Sequence, residues 1–165
     1  FFSDKCNVGG GEVRSVDCIG LEQWMLENLS GDPDKEYVIL KLDVEGSEYE
    51  ILKPLISSGT ISYVDELYVE WHLKKVPSLS PVAHLDIVEK LVYDHGLTPY
   101  SWSAEEVDSV SEHKVKTTIG FDRINLYEAT KADPKNYHRA TALADHIGDR
   151  LKDRNDIWIK MILKG

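Results

Sequence analysis

Apolar residues in this chain switch between two periods, the alternation of a strand and the three-to-four spacing of a helix. Residues 1–11 read as a loop with a turn at Gly9-Gly10-Gly11, and Glu12 to Ile19 then alternates roughly as a strand. Leu21, Trp24, Met25 and Leu29 fall at helical spacing, and Gly31-Asp32-Pro33-Asp34 breaks the chain. Tyr37 to Leu42 is apolar apart from Lys41, which predicts a strand covered on both faces. Tyr49, Ile51, Leu52, Leu55 and Ile56 then form a helical stripe. A capping box of Ser47 and Glu50 opens that helix, Pro54 kinks or ends its regular turns, and Ser57-Ser58-Gly59 closes it. Ile61 to Trp71 is the next predicted strand. Strand, helix and strand in that order make a βαβ unit, which predicts parallel strands and a right-handed crossover.

The second half continues the alternation. Ser80-Pro81 is a cap followed by proline at the first helical position, and the helix it opens runs to about His95 with Gly96 as its stop. Thr98 to Trp102 predicts a short strand, and Glu105 to His113 a polar loop. Val115 to Tyr127 reads as one long strand or a hairpin bent near Gly120. Asp133-Pro134 starts a last long helix through Leu151, and the apolar Ile157 to Leu163 docks on the body. The fold class is therefore α/β, one domain over residues 1–165, with residues 131–165 as a helical segment packed on it.

Composition narrows the partners. With 29 acidic and 19 basic side chains the formal charge is −10, so nucleic acid and anionic membranes are poor partners. No apolar stretch approaches the ~20 residues of a membrane span. Cys6 and Cys18 fit no metal spacing. A reducing, cytoplasmic setting with thiols is the default, with one disulfide as the alternative.

The segment richest in chemistry is Lys41-Leu42-Asp43-Val44-Glu45-Gly46-Ser47-Glu48. A buried strand delivers this acidic cluster to its own carboxyl end, the rim where open α/β sheets bind ligands. Together with Ile51-Leu52, this string closely resembles the signature of FkbM-type methyltransferases. Val16 to Leu26 is similar to the strand and helix that precede that signature. Leu67-Tyr68-Val69-Glu70-Trp71-His72 is similar to the family's next strand, which usually ends in a glutamate. The resemblance covers residues 12–72 well and the remainder loosely. It implies a Rossmann-like class I methyltransferase sheet, here apparently lacking the first three strands. It also implies S-adenosylmethionine as the methyl donor to a hydroxyl of a sugar or small metabolite. The family's cofactor loop follows its first strand, whereas Gly9-Gly10-Gly11 follows none, so these residues alone are expected to bind S-adenosylmethionine weakly. Some FkbM-like enzymes are metal-dependent, and the resemblance places magnesium on Asp43 and Glu70.

At consecutive parallel strand tips, Asp43, Glu70 and His72 are expected to converge. Asp43 and His72 are the expected catalytic pair, with His72 as general base because an imidazole changes charge in the physiological range. Structural roles stand beside these. Asp43 can cap a turn, and Glu45 and Glu48 suit the start of a helix more readily than a ligand role. Glu70 can pair with Lys41 or Lys74, and His72 can be a solvated loop residue. Lys41, inside an apolar strand, needs a partner such as Glu45 or Glu70. Trp71 is core or a stacking wall. The rival reading from another class is a non-catalytic, methyltransferase-like interaction module, or a homo-oligomer, recognisable by an exposed apolar sheet edge. A nucleotide-sugar transferase is disfavoured, since no phosphate-binding loop is present.

Overall fold

The computed structural model describes residues 18–109, 112–120 and 122–162. The expected turn at residues 9–11 and nearly all of the expected strand over residues 12–19 lie outside them. So do the side chains of the terminal apolar segment.

The architecture is α/β. Strands β1 (Ile39–Leu42), β2 (Glu66–Val69), β3 (Pro99–Ser109) and β4 (Glu112–Gly120) form one sheet in the order β1-β2-β3-β4. β1, β2 and β3 run parallel, and β4 returns antiparallel to β3. Three consecutive parallel strands in chain order are compatible with one half of a doubly wound, Rossmann-like sheet. The βαβ unit read from the sequence is present: β1 leads through α2 (Glu48–Ser58) to β2.

Helix α1 (Leu21–Asn28) buries Met25, and α2 buries Tyr49, Leu52 and Leu55. These meet Leu42, Leu67 and Val69 of the sheet in one core cluster. A fully buried leucine contributes roughly 1.5–3 kcal/mol, so this cluster fixes the sheet against α2. A second cluster joins α3 (Pro81–Glu89), α4 (Arg123–Ala132) and α5 (Tyr137–Ile162) through Leu85, Val88, Leu126, Ala129, Leu143 and Ile147. Trp71 packs against both clusters.

Several boundaries differ from the sequence reading. β1 is not covered on both faces: Ile39 and Lys41 are exposed while Leu42 is buried. Among the described residues β1 pairs with β2 alone and is the edge of the sheet, with one solvated face. The expected strand from Ile61 shortens, because Thr60–Tyr63 forms a 3₁₀ turn before β2. Pro54 sits inside α2 without ending it, and Gly59 closes the helix in the left-handed region at φ +80°. The helix opened by Ser80 passes after Glu89 into a π turn over Lys90–Asp94.

The expected polar loop Glu105–His113 is instead shared by β3 and β4, whose ladder runs from Ser101 opposite Gly120 to Ser109 opposite Glu112. Backbone pairing to a partner strand holds such polar segments in register, and local periodicity does not show it. The expected strand to Tyr127 ends at Gly120, and α4 begins at Arg123. Asp122 caps α4 by accepting from the Asn125 amide at 3.1 Å.

Candidate functional site

The parallel register places the two acidic strand tips side by side. Leu42 is opposite Val69, and the Glu70 amide donates to the Leu42 carbonyl at 2.9 Å. Asp43 and Glu70 are therefore each the first residue beyond neighbouring strands. His72 follows two residues later and sits between them with its side chain 12% exposed.

The turn from β1 into α2 is built by backbone conformation. Glu45 adopts φ +56° and Gly46 φ +109°. A side chain suffers strain at the second of these, and a Cβ on Gly46 would lie 3.3 Å from Val76 Cγ2 and 3.4 Å from Lys75 Cβ. This turn aims the Val44 and Gly46 amides at one oxygen of Glu48, and both donate to Oε1 at 3.2 Å. The expected capping box does not form, because the Ser47 side chain makes no cap hydrogen bond. Glu48 takes over the turn from within.

Glu48 is 0% exposed. Its Oε1 also lies 2.8 Å from Nδ1 of His72. A carboxylate accepts, so Nδ1 carries the hydrogen and donates. In the neutral ring Nε2 then holds the lone pair. Nε2 lies 3.6 Å from Oε1 of Glu70 and 3.7 Å from Oε2 of Glu45. Both distances exceed a hydrogen bond. Glu48 Oε2 is buried and has no hydrogen-bond partner.

Asp43, Glu45 and His72 each offer a ligand atom within 4.8 Å of the other two. Glu70 is not in that group and lies beside His72, its Oε1 3.6 Å from Nε2. Lys41 pairs with Asp43 at 3.4 Å, not with Glu45 or Glu70 as expected, and the pair is exposed. The Lys75 ammonium contacts the Glu45 carboxylate. Among the described residues, the four carboxylates of Asp43, Glu45, Glu48 and Glu70 thus stand near two ammonium groups and the His72 ring. Such an excess of negative charge suits a cationic sulfonium ligand or a divalent cation. The donor set departs from magnesium's preference for oxygen ligands by offering one imidazole nitrogen.

Sequence reasoning reached Asp43, Glu70 and His72, and it favoured a helix-start role over a ligand role for Glu48. The missed signal is the buried position of Glu48, which no local pattern reports. A second histidine was also missed. His84, fully buried, places Nδ1 3.0 Å from the Tyr49 hydroxyl and Nε2 3.1 Å from Oδ2 of Asp122. Trp71 stands edge-on to His84 with ring centroids 4.7 Å apart. Burial pushes the Tyr49 hydroxyl well above its usual range, and the Asp122 and Glu48 charges add to this.

A shallow cleft at the opposite end of the sheet, between Asp32, Glu36, Tyr63 and Asp65, is structural. Glu36 accepts from the Ser30 amide and Asp65 from the Val38 amide, so both carboxylates serve the backbone. No model of a known protein family, no curated protein and no solved structure matches the chain.

Proposed function

We propose that these residues form the acceptor side of an S-adenosylmethionine-dependent O-methyltransferase of FkbM type, acting on a hydroxyl of a sugar or small metabolite. The observation that carries this reading is the position of the Lys41–Glu48 string. It lies at the carboxyl end of a parallel strand, with Glu70 and His72 at the tip of the next. In open α/β sheets that rim binds ligands.

S-adenosylmethionine, when bound, supplies an electrophilic methyl group on a sulfonium. The residues of this chain work on the acceptor. The carboxylates of Asp43 and Glu70 can accept hydrogen bonds from sugar hydroxyls and hold the reacting oxygen in place, which supplies much of the acceleration in a displacement. That hydroxyl must lose its proton as its oxygen bonds to carbon. Two arrangements of the rim serve this step. Nε2 of His72 can take the proton, with Glu48 holding the ring from Nδ1. Alternatively, a divalent cation held by Asp43 and Glu70 would make the hydroxyl more acidic, and a neighbouring rim carboxylate would take its proton.

The test follows transfer of a labelled methyl group to a panel of sugar hydroxyls, in the longest natural polypeptide carrying these residues. Asp43→Asn and His72→Ala are each expected to lower turnover by about 100-fold or more. Unchanged turnover in both variants overturns the reading. These 165 residues alone are expected to bind S-adenosylmethionine weakly, and sub-millimolar affinity by calorimetry contradicts that.

One observation favours an interaction module instead. β1 is an edge with Ile39 and Tyr37 exposed, and Trp24 and Leu26 of α1 are exposed as well. An apolar edge of this kind invites pairing with another strand. A concentration-dependent dimer lost on Ile39→Lys, with no methyl transfer, supports this second reading.

A further inference from the structure

We propose that Nε2 of His72, with the carboxylates of Asp43 and Glu45, binds a borderline divalent transition-metal ion such as zinc, cobalt or manganese, and that buried Glu48 is the outer residue that orients the ligating ring. This deepens the methyltransferase reading by assigning the cation to a donor set other than the Asp43–Glu70 pair. It gives His72 the role of ligand in place of proton acceptor.

Four observations converge on it. The first is the tautomer. Glu48 receives the Nδ1 hydrogen at 2.8 Å, which leaves Nε2 as the nitrogen facing the rim. A carboxylate behind a histidine whose other nitrogen binds metal is the usual outer arrangement of metal-ligating imidazoles.

The second is spacing. Nε2 sits 3.7 Å from the Glu45 oxygen, and the ligand atoms of Asp43, Glu45 and His72 lie within 4.8 Å of one another. Bonds of ~2.0–2.2 Å around a tetrahedral ion separate its ligand atoms by roughly 3.4 Å. The 3.7 Å separation of Nε2 from Glu45 is too long for a hydrogen bond and close to that span.

The third is charge. Asp43, Glu45, Glu48 and Glu70 against Lys41 and Lys75 leave a formal excess of two negative charges, which a divalent ion neutralises.

The fourth lies outside the acidic cluster itself. Glu48 is fully buried beside His72, with Oε2 lacking any hydrogen-bond partner. A buried carboxylate left so exposed to its own charge calls for a nearby cation. A ring carrying a metal on Nε2 supplies that positive charge through the Nδ1 hydrogen.

The ion class follows from the donors. Magnesium and calcium take oxygen ligands, whereas imidazole with carboxylates suits first-row transition metals and zinc. Lys75 already contacts Glu45, so an ion at this site competes with that ammonium.

The experiment titrates the intact chain with cobalt(II), followed by visible absorption, and with zinc by calorimetry. One ion per chain is expected, with millimolar magnesium failing to displace it. His72→Ala and Asp43→Asn are expected to weaken binding by tenfold or more, and Glu48→Gln by about 10–100-fold. Lys75→Met, an exposed position outside the ligand set, is expected to tighten binding and needs no buried change. Circular dichroism of each variant reports folding. The proposal is overturned by absence of cobalt or zinc binding. It is equally overturned by binding indifferent to His72→Ala in a folded variant, by equal displacement with magnesium, or by a Lys75→Met variant that binds no better. Failure here with intact methyl transfer leaves the methyltransferase reading standing with His72 as base. Binding without methyl transfer separates the two the other way.

Discussion

The Tyr49 hydroxyl meets Nδ1 of His84 at 3.0 Å, and His84 is fully buried. Tyr49 stays protonated in this setting, because burial raises its hydroxyl and the Asp122 and Glu48 charges raise it further. Nε2 of the same ring lies 3.1 Å from Oδ2 of Asp122. Tyr49 follows Glu48 in sequence, and Trp71 precedes His72. α2 thus supplies a partner to each histidine, Glu48 to His72 and Tyr49 to His84.

Tyr49→Phe is expected to destabilise the protein by roughly 1–3 kcal/mol, the cost of leaving a buried imidazole nitrogen unpaired. The shift also fixes a pH dependence. The folded hydroxyl holds its proton more tightly than the unfolded one, so the unfolded chain releases it first, above about pH 10. The stabilisation is fully present below that pH and is lost as pH rises, with a slope of up to ~1.4 kcal/mol per unit from this group. Urea midpoints between pH 8 and 11 measure it. The slope should be shallower in Tyr49→Phe, and an identical slope in both proteins refutes the assignment.

Gly46→Ala is expected to cost roughly 1–3 kcal/mol, because φ +109° disfavours any side chain and the added Cβ meets Val76 and Lys75. The effect should reach the site, since the Gly46 amide is one of the two backbone donors to Glu48. The ¹⁵N resonances of the His72 ring report whether Nδ1 keeps its hydrogen. A stable variant with an unchanged ring spectrum counts against this turn as the support of Glu48.

Legibility from sequence divided along physical lines. The βαβ unit was legible because Leu40, Leu42, Leu52, Leu55, Leu67 and Val69 carry their periods locally. Asp43 and Glu70 were legible at neighbouring tips because parallel pairing of two short strands fixes their order. The long β3–β4 ladder was not legible, since Glu105 to His113 is polar and is held by a partner strand rather than by its own apolar pattern. α4 was missed where Leu126 and Ala129 do carry a helical spacing behind the Asp122 cap, a signal overridden by the β-branched run before it. Glu48 and His84 were illegible as partners because burial and tautomer arise only when α2, α3 and the strand tips come together.

Ser80→Ala tests a cap that sequence and structure share. The Ser80 hydroxyl accepts from the Ala83 amide at 3.1 Å, and Pro81 occupies the first turn. A loss of about 1 kcal/mol is expected by urea denaturation. Because α3 carries Leu85 and Val88 into the second core cluster, the loss should appear in the global transition. A change confined to local amide exchange near residues 80–84 contradicts that coupling.

Asp122 joins two functions that separate variants can split. One oxygen caps α4 through the Asn125 amide at 3.1 Å, and the other accepts from Asn125 Nδ2 at 2.6 Å and lies 3.1 Å from His84 Nε2. Asp122→Ala removes all of these, and the cap and the buried imidazole together predict a loss of roughly 2–4 kcal/mol. Asp122→Asn keeps an oxygen for the cap but removes the charge. Since that charge is the second cause raising Tyr49, behind burial, the alkaline loss of stability should weaken in Asp122→Asn while most of the neutral-pH stability remains. Urea titrations at pH 7 and pH 10.5 distinguish the two variants. Equal losses at both pH values in Asp122→Asn and Asp122→Ala would falsify the division, and would assign Asp122 to the helix cap alone.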